Sequence, residues 1–188
     1  MAAVYVFLAD GFEEIEGLTV VDLLRRAGID VKTIGIGREE YVTGSHGISV
    51  KTDARIADLD FKEAEALVLP GGMPGTKHLG ECEELRKILL EADAAKTRIG
   101  AICAAPSVLG ELGLLKGRHA VCYPGFEEKL KGATVGMEPV VVDGHITTSR
   151  GMGKAIDFGL ALIAQISGES EAQRVGEAIV YFEKKQVI

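Results

Sequence analysis

The sequence predicts an α/β fold, a doubly wound and mostly parallel sheet with helices on both faces, and three observations predict it. Short apolar runs such as Ala3–Leu8 and Ala66–Leu69 are almost unbroken, as strands buried on both faces require. They alternate with longer stretches whose apolar residues fall near helical spacing. The 188 residues suffice for one well-buried domain and are too few for two of ordinary size, so residues 1–188 are taken as a single domain.

Each element has its own signal. After the first strand, Asp10-Gly11 breaks the run, and residues 13–27 place Ile15, Leu18, Val21, Leu24 and Ala27 near helical spacing until Gly28 stops them. Asp30–Ile36 reads as a second strand. Tyr41-Val42-Thr43 and Ile48-Ser49-Val50 flank Gly44–Gly47 and predict a hairpin. Ala66–Leu69 is a buried strand closed by Pro70-Gly71-Gly72, and Glu83–Ala95 is an amphipathic helix. Arg98–Ile102 is another strand, leading through Cys103 into a helix that contains Val108 to Leu112. Val140–Val142 and Ile146–Thr148 flank Asp143-Gly144, the dipeptide of a tight hairpin. Gly153–Gln165 and Glu169–Val180 read as closing helices.

Composition excludes several classes of function. A chain that is 47% hydrophobic and 26% charged is globular. Its net charge of −7, with no offsetting Lys/Arg cluster, argues against nucleic acid as a partner. No apolar run approaches the length of a membrane span, and no signal core follows Met1, so a cytoplasmic location is expected. Cysteines at 82, 103 and 122 are odd in number and lack zinc spacing. They suggest free thiols in a reducing compartment, with no metal and no cofactor.

The segment Arg98 to Ser107 carries the chemistry. A strand ends at Cys103, and Ala104-Ala105-Pro106 opens a helix, where proline suits the first turn. The sulfur then sits near the free N–H groups of a helix start, a placement that favours thiolate and resembles a nucleophile elbow with Cys in place of Ser. A buried structural cysteine is the alternative. Ligands of doubly wound sheets bind outside the carboxyl ends of strands. Asp10–Glu16, Pro70–Gly75, Cys103 and Ser149–Gly153 all fall at such ends. Gly71 and Gly72 can offer bare N–H groups to an oxyanion, although each segment taken singly also reads as a plain turn.

These residues resemble the ThiJ/PfpI superfamily, in the branch of the parkinsonism-associated deglycase and its bacterial counterparts. The markers are Glu13-Glu14-Ile15-Glu16, Leu69-Pro70-Gly71-Gly72, Ala101-Ile102-Cys103-Ala104 and Thr147-Thr148-Ser149-Arg150-Gly151, in order, over the chain to at least Gln165. The resemblance implies a flavodoxin-like sandwich, with Cys103 as the reactive cysteine and Glu16 as its carboxylic-acid partner. It makes the backbone N–H groups of Gly72 and Ala104 the oxyanion donors, with Gly71, Tyr123 and Arg150 near the site. It also implies a homodimer with the helix from Glu16 to Ala27 near the interface. Ala104 stands where protease-like members have histidine, which removes a local Cys–His pair and disfavours a peptidase. Tyr123 stands where a histidine lies near the site of the deglycase, and a phenol with a reference pKa of about 10 is a poor base. Of the histidines at 46, 78, 119 and 145, only His78 has an approach to the site from its position in the chain.

A Cys–Glu pair works if it shares one proton: a buried, protonated Glu16 donates to the sulfur, and the Cys103 pKa falls into the range of about 3.5 to 7.5. Three functions follow. The first is a glyoxalase- or deglycase-type hydrolase or lyase acting on small electrophilic aldehydes or dicarbonyls and their early adducts. The second is a redox sensor in which oxidation of Cys103 is the event. The third is a chaperone-like protein.

Overall fold

A computed structural model describes residues 3–182. Its central sheet has seven strands: β1 (Val4–Leu8), β2 (Val31–Gly35), β5 (Ala54–Arg55), β6 (Ala66–Leu69), β7 (Arg98–Ile102), β10 (Val140–Asp143) and β11 (Ile146–Ser149). Their spatial order is β10-β11-β7-β6-β1-β2-β5, with every pairing parallel except β10 with β11. Two small ribbons lie outside it: antiparallel β3 (Tyr41–Thr43) with β4 (Ser49–Lys51), and parallel β8 (His119–Ala120) with β9 (Thr134–Val135).

Both faces of the sheet are covered, which is why its strands are apolar throughout. Along β1, Val4, Val6 and Leu8 face α1 (Glu14–Arg26) and α5 (Ala155–Ser167), whose Val20, Leu24, Phe158 and Leu162 complete that half of the core. Phe7 faces the other side with Leu67, Leu69 and Ile99, packed against α3 (Glu83–Ala95) and α4 (Pro106–Glu111). The last helix, α6 (Glu169–Ala178), packs on α5.

The chain differs from the expectation in its short elements. Gly75–Glu81 forms α2, which carries two glycines and so little helical signal. The two-residue strands β5, β8 and β9 are too short for a period-2 pattern to show. Among the described residues, no helix is long and apolar enough to cross a membrane.

Three chain segments meet at the carboxyl edge of the sheet: the entry to α1, the Pro70-Gly71-Gly72 turn after β6, and the β7–α4 junction. The register of β11 with β7 pairs Ser149 with Ile102 and delivers a fourth segment, Arg150 to Lys154, to the same edge.

Candidate functional site

Cys103 occupies the β7–α4 junction with φ of 65°, in the left-handed region that β-carbon residues avoid. The conformation is held from both sides, since Cys103 N–H donates to Ser149 O at 2.9 Å and Tyr123 N–H donates to Cys103 O at 2.8 Å. It turns the side chain out of the sheet, as the elbow reading anticipates. The backbone N–H groups of Ala104 and Gly72 face the sulfur and favour its thiolate form. The helix behind it, α4, is only six residues long and begins at Pro106 without a side-chain cap.

Glu16, in the first turn of α1, is fully buried. Its Oε2 accepts from Gly71 N–H at 2.8 Å, the Cys103 thiol faces the carboxyl, and Oε1 makes no well-formed hydrogen bond of its own. Gly71 lets the two side chains meet: a Cβ there would stand 2.6 Å from Cys103 Cβ and 2.7 Å from Glu16 Oε2. Burial pushes Glu16 up to about 7, against the Cys103 and Gly71 hydrogen bonds and with a further push from Glu13.

The state of the thiol depends on the charge of its partner. Burial, then the charge of Glu16 and the hydrogen bond to it, push Cys103 up to about 12, and the Ala104 and Gly72 N–H groups only partly oppose this. The expected low thiol pKa therefore does not hold while Glu16 is ionised, because the sulfur is buried beside a second acid. Moving the pair's one proton from sulfur to Glu16 removes the charge that raises the thiol. The resulting thiolate faces two N–H donors.

A cleft of about 610 Å³ opens onto this pair. Gly72, Ala104 and Glu13 line it beside Cys103 and Glu16, and Tyr123, Met73 and Met152 stand half-exposed at its rim. Arg150 and Lys154 form the wall that follows β11. The structure thus brings together Cys103, Glu16, Gly71, Gly72, Ala104, Tyr123 and Arg150. It does not bring His78, whose ring Nδ1 lies 2.9 Å from Asp10 O and which lines a separate depression with Leu8 and Val42. Position in the chain suggested His78, but α2 carries it past the cleft.

Glu14 is the neighbour that sequence reasoning did not single out. It is buried, yet the β3–β4 turn holds it ionised: Oε1 accepts from His46 N–H at 2.7 Å, and the His46 ring Nδ1 lies 2.9 Å from Oε2. Burial works against the charge, but these bonds prevail and hold Glu14 down to about 2. Among the described residues, Glu13, Glu14 and His46 are the donor set compact enough to share a cation, with ligand atoms within 4.8 Å of one another. Both Glu14 oxygens are already occupied by the turn, so the cluster works as a clamp on the start of α1.

Fold and site together define a class: doubly wound α/β proteins with a cysteine on a strained elbow, opposite a buried glutamate. The model of the DJ-1/PfpI family matches residues 2–165. The chain belongs to that family. It is 36% identical to Protein DJ-1 homolog B of Arabidopsis thaliana over 94% of its own length and 41% of that protein's. It is 34% identical to Protein dj-1beta of Drosophila melanogaster, covering 93% of this chain and 95% of that one. The chain spans less than half of each of the two Arabidopsis relatives. Among solved structures it resembles oxidized DJ-1 of Toxoplasma gondii, with a TM-score of 0.92 and 34% identity over 96% of this chain and 98% of that one. Drosophila DJ-1beta gives a TM-score of 0.90 at 33% identity, covering 96% and 98%.

Proposed function

We propose that the protein is a cysteine-dependent stress-response protein of the DJ-1 type, acting in the cytoplasm on small reactive dicarbonyls or their early adducts with amines and thiols. One observation carries this reading: Cys103 on its elbow faces a buried Glu16 whose pKa of about 7 suits a group that both takes and returns protons at neutral pH. With methylglyoxal, sulfur bonds to the aldehyde carbon and the pair's proton goes to the former carbonyl oxygen, which the Gly72 and Ala104 N–H groups stabilise. Glu16 then takes the proton from that carbon and returns it to the neighbouring one while the hydroxyl proton passes to the neighbouring oxygen, leaving a lactoyl thioester. Water hydrolyses the thioester to lactate and frees the thiol. No outside oxidant or reductant enters, and neither does a histidine. Purified protein is expected to form lactate from methylglyoxal, and no lactate at any enzyme concentration would refute the reading.

A second reading has its own support, because one structural relative was solved in an oxidized form. Here the event is oxidation of Cys103, and peroxide adds oxygen mass to Cys103 in a protein without dicarbonyl turnover.

The homodimer belongs to the same proposal. Ile15 on α1 and Ile48 on the β3–β4 turn that clamps it are 51% and 54% exposed, an apolar pair at the start of the helix next to the cleft. Sedimentation at micromolar concentration is expected to give twice the 20.0 kDa chain mass. A species of 20.0 kDa would exclude the dimer.

A further inference from the structure

The wall of the cleft that follows β11 carries a cation with nothing to neutralise it. Arg25, Arg26, Arg55, Arg98, Arg118 and Arg174 each lie within 4 Å of a carboxylate. Among the described residues Arg38, Arg86 and Arg150 have no such partner, and of these three Arg150 alone lines the cleft, in a chain with net charge −7. Its one described hydrogen bond runs to Met137 O at 3.5 Å, the outer limit of such contacts. Strand register explains why it stands there: Ser149 pairs with Ile102, so Arg150 is level with Cys103, and both line the cleft. Lys154 joins the same wall after a short 3₁₀ turn, with only a loose contact of 3.8 Å to Asp157. The opposing charges are Glu13, across the cleft, and Glu16, which burial drives toward neutrality. Glu127 lies beside Cys122 and has its Oε2 engaged by Gly125 N–H at 2.7 Å.

We infer that Arg150, with Lys154, forms a carboxylate-binding subsite next to the nucleophile, so that the cleft prefers electrophiles bearing a carboxylate over neutral ones. The planar guanidinium fork matches a carboxylate in two parallel hydrogen bonds, which a lysine alone does not provide. The cleft has room for such a group, since 610 Å³ exceeds what a three-carbon dicarbonyl fills. The inference rests on Cys103 being the attacking group.

Iodoacetate and iodoacetamide test it, because they alkylate a thiol by the same displacement and differ by one charge. The ratio of their rates at Cys103, referred to Cys82 in the same molecule, is expected to fall about five- to tenfold in Arg150→Gln. It should fall further in Arg150→Gln/Lys154→Gln, and added salt should lower it in the wild type. An unchanged ratio overturns the subsite. A Cys103 that neither reagent modifies overturns the reactive-cysteine reading instead, and thermal unfolding then decides the subsite. Oxalate, an anion without an aldehyde, should raise the unfolding midpoint of the wild type more than that of Arg150→Gln, and equal shifts overturn the inference. A stronger response to inorganic phosphate than to oxalate overturns the assignment to carboxylate.

Discussion

Glu16→Gln is expected to leave Cys103 open to alkylation while lowering methylglyoxal turnover by about 10²–10⁴-fold, the usual contribution of a positioned acid–base group. The amide nearly preserves the shape of the acid. Its oxygen still accepts from Gly71 N–H, and its NH₂ group is able to donate to the sulfur, but it has no proton to transfer. The pH profile separates this from simple damage. In the wild type both groups are protonated at low pH, and the pair loses its first proton near the Glu16 value of about 7. Alkylation should therefore rise through neutrality. In Glu16→Gln that step is absent and the thiol titrates alone. Relieved of the charge that helps push it to about 12, it should ionise at lower pH than it does opposite an ionised Glu16. Lactate assays and iodoacetamide rates from pH 5 to 10 check both halves. Turnover within a few-fold of wild type, or a step near pH 7 that survives the substitution, would remove Glu16 from the chemistry.

Gly72→Ala should produce the largest loss of stability at the site. Its φ of 90° is left-handed, and an added Cβ would lie 2.3 Å from Glu13 N, 2.6 Å from Phe12 C and 2.7 Å from Gly11 O. All three are backbone atoms, so no side-chain rotation relieves the clash. Overpacking costs about 1–3 kcal/mol and a left-handed β-carbon residue about 1–2 more, which together lower the melting midpoint by roughly 4–20 °C for a chain of this size. Gly28→Ala is the control: its φ of 71° is also left-handed, but nothing lies within 4 Å of the new Cβ. Calorimetry showing Gly72→Ala no worse than Gly28→Ala would mean that the entry to α1 gives way more easily than its packing indicates.

The main layers of this fold were legible because strands covered on both faces leave nearly unbroken apolar runs, and their helices keep a single stripe. The elbow was legible too, since Cys-Ala-Ala-Pro after a strand leaves few places for the sulfur. Charge state was not. Glu13, Glu14 and Glu16 share one helix entrance and look alike in the sequence. Glu14 is kept ionised by His46 from a distant turn, and Glu16 is driven toward neutrality by burial against Cys103. Such partners are set by tertiary contact, which local spacing does not encode. The same blindness let His78 appear to approach the cleft.

The left-handed backbone at Cys103 has a consequence for the molecule as a whole. Residues in such regions carry about 1–3 kcal/mol of strain and persist only where their surroundings impose them. Here Ser149 O and Tyr123 N–H impose it from two sides. Reactivity and thermodynamic ease are thus antagonists at one position. A glycine at 103 would relax the backbone and abolish the nucleophile in a single step, and the residue best suited to the fold there is one that has no chemistry to offer.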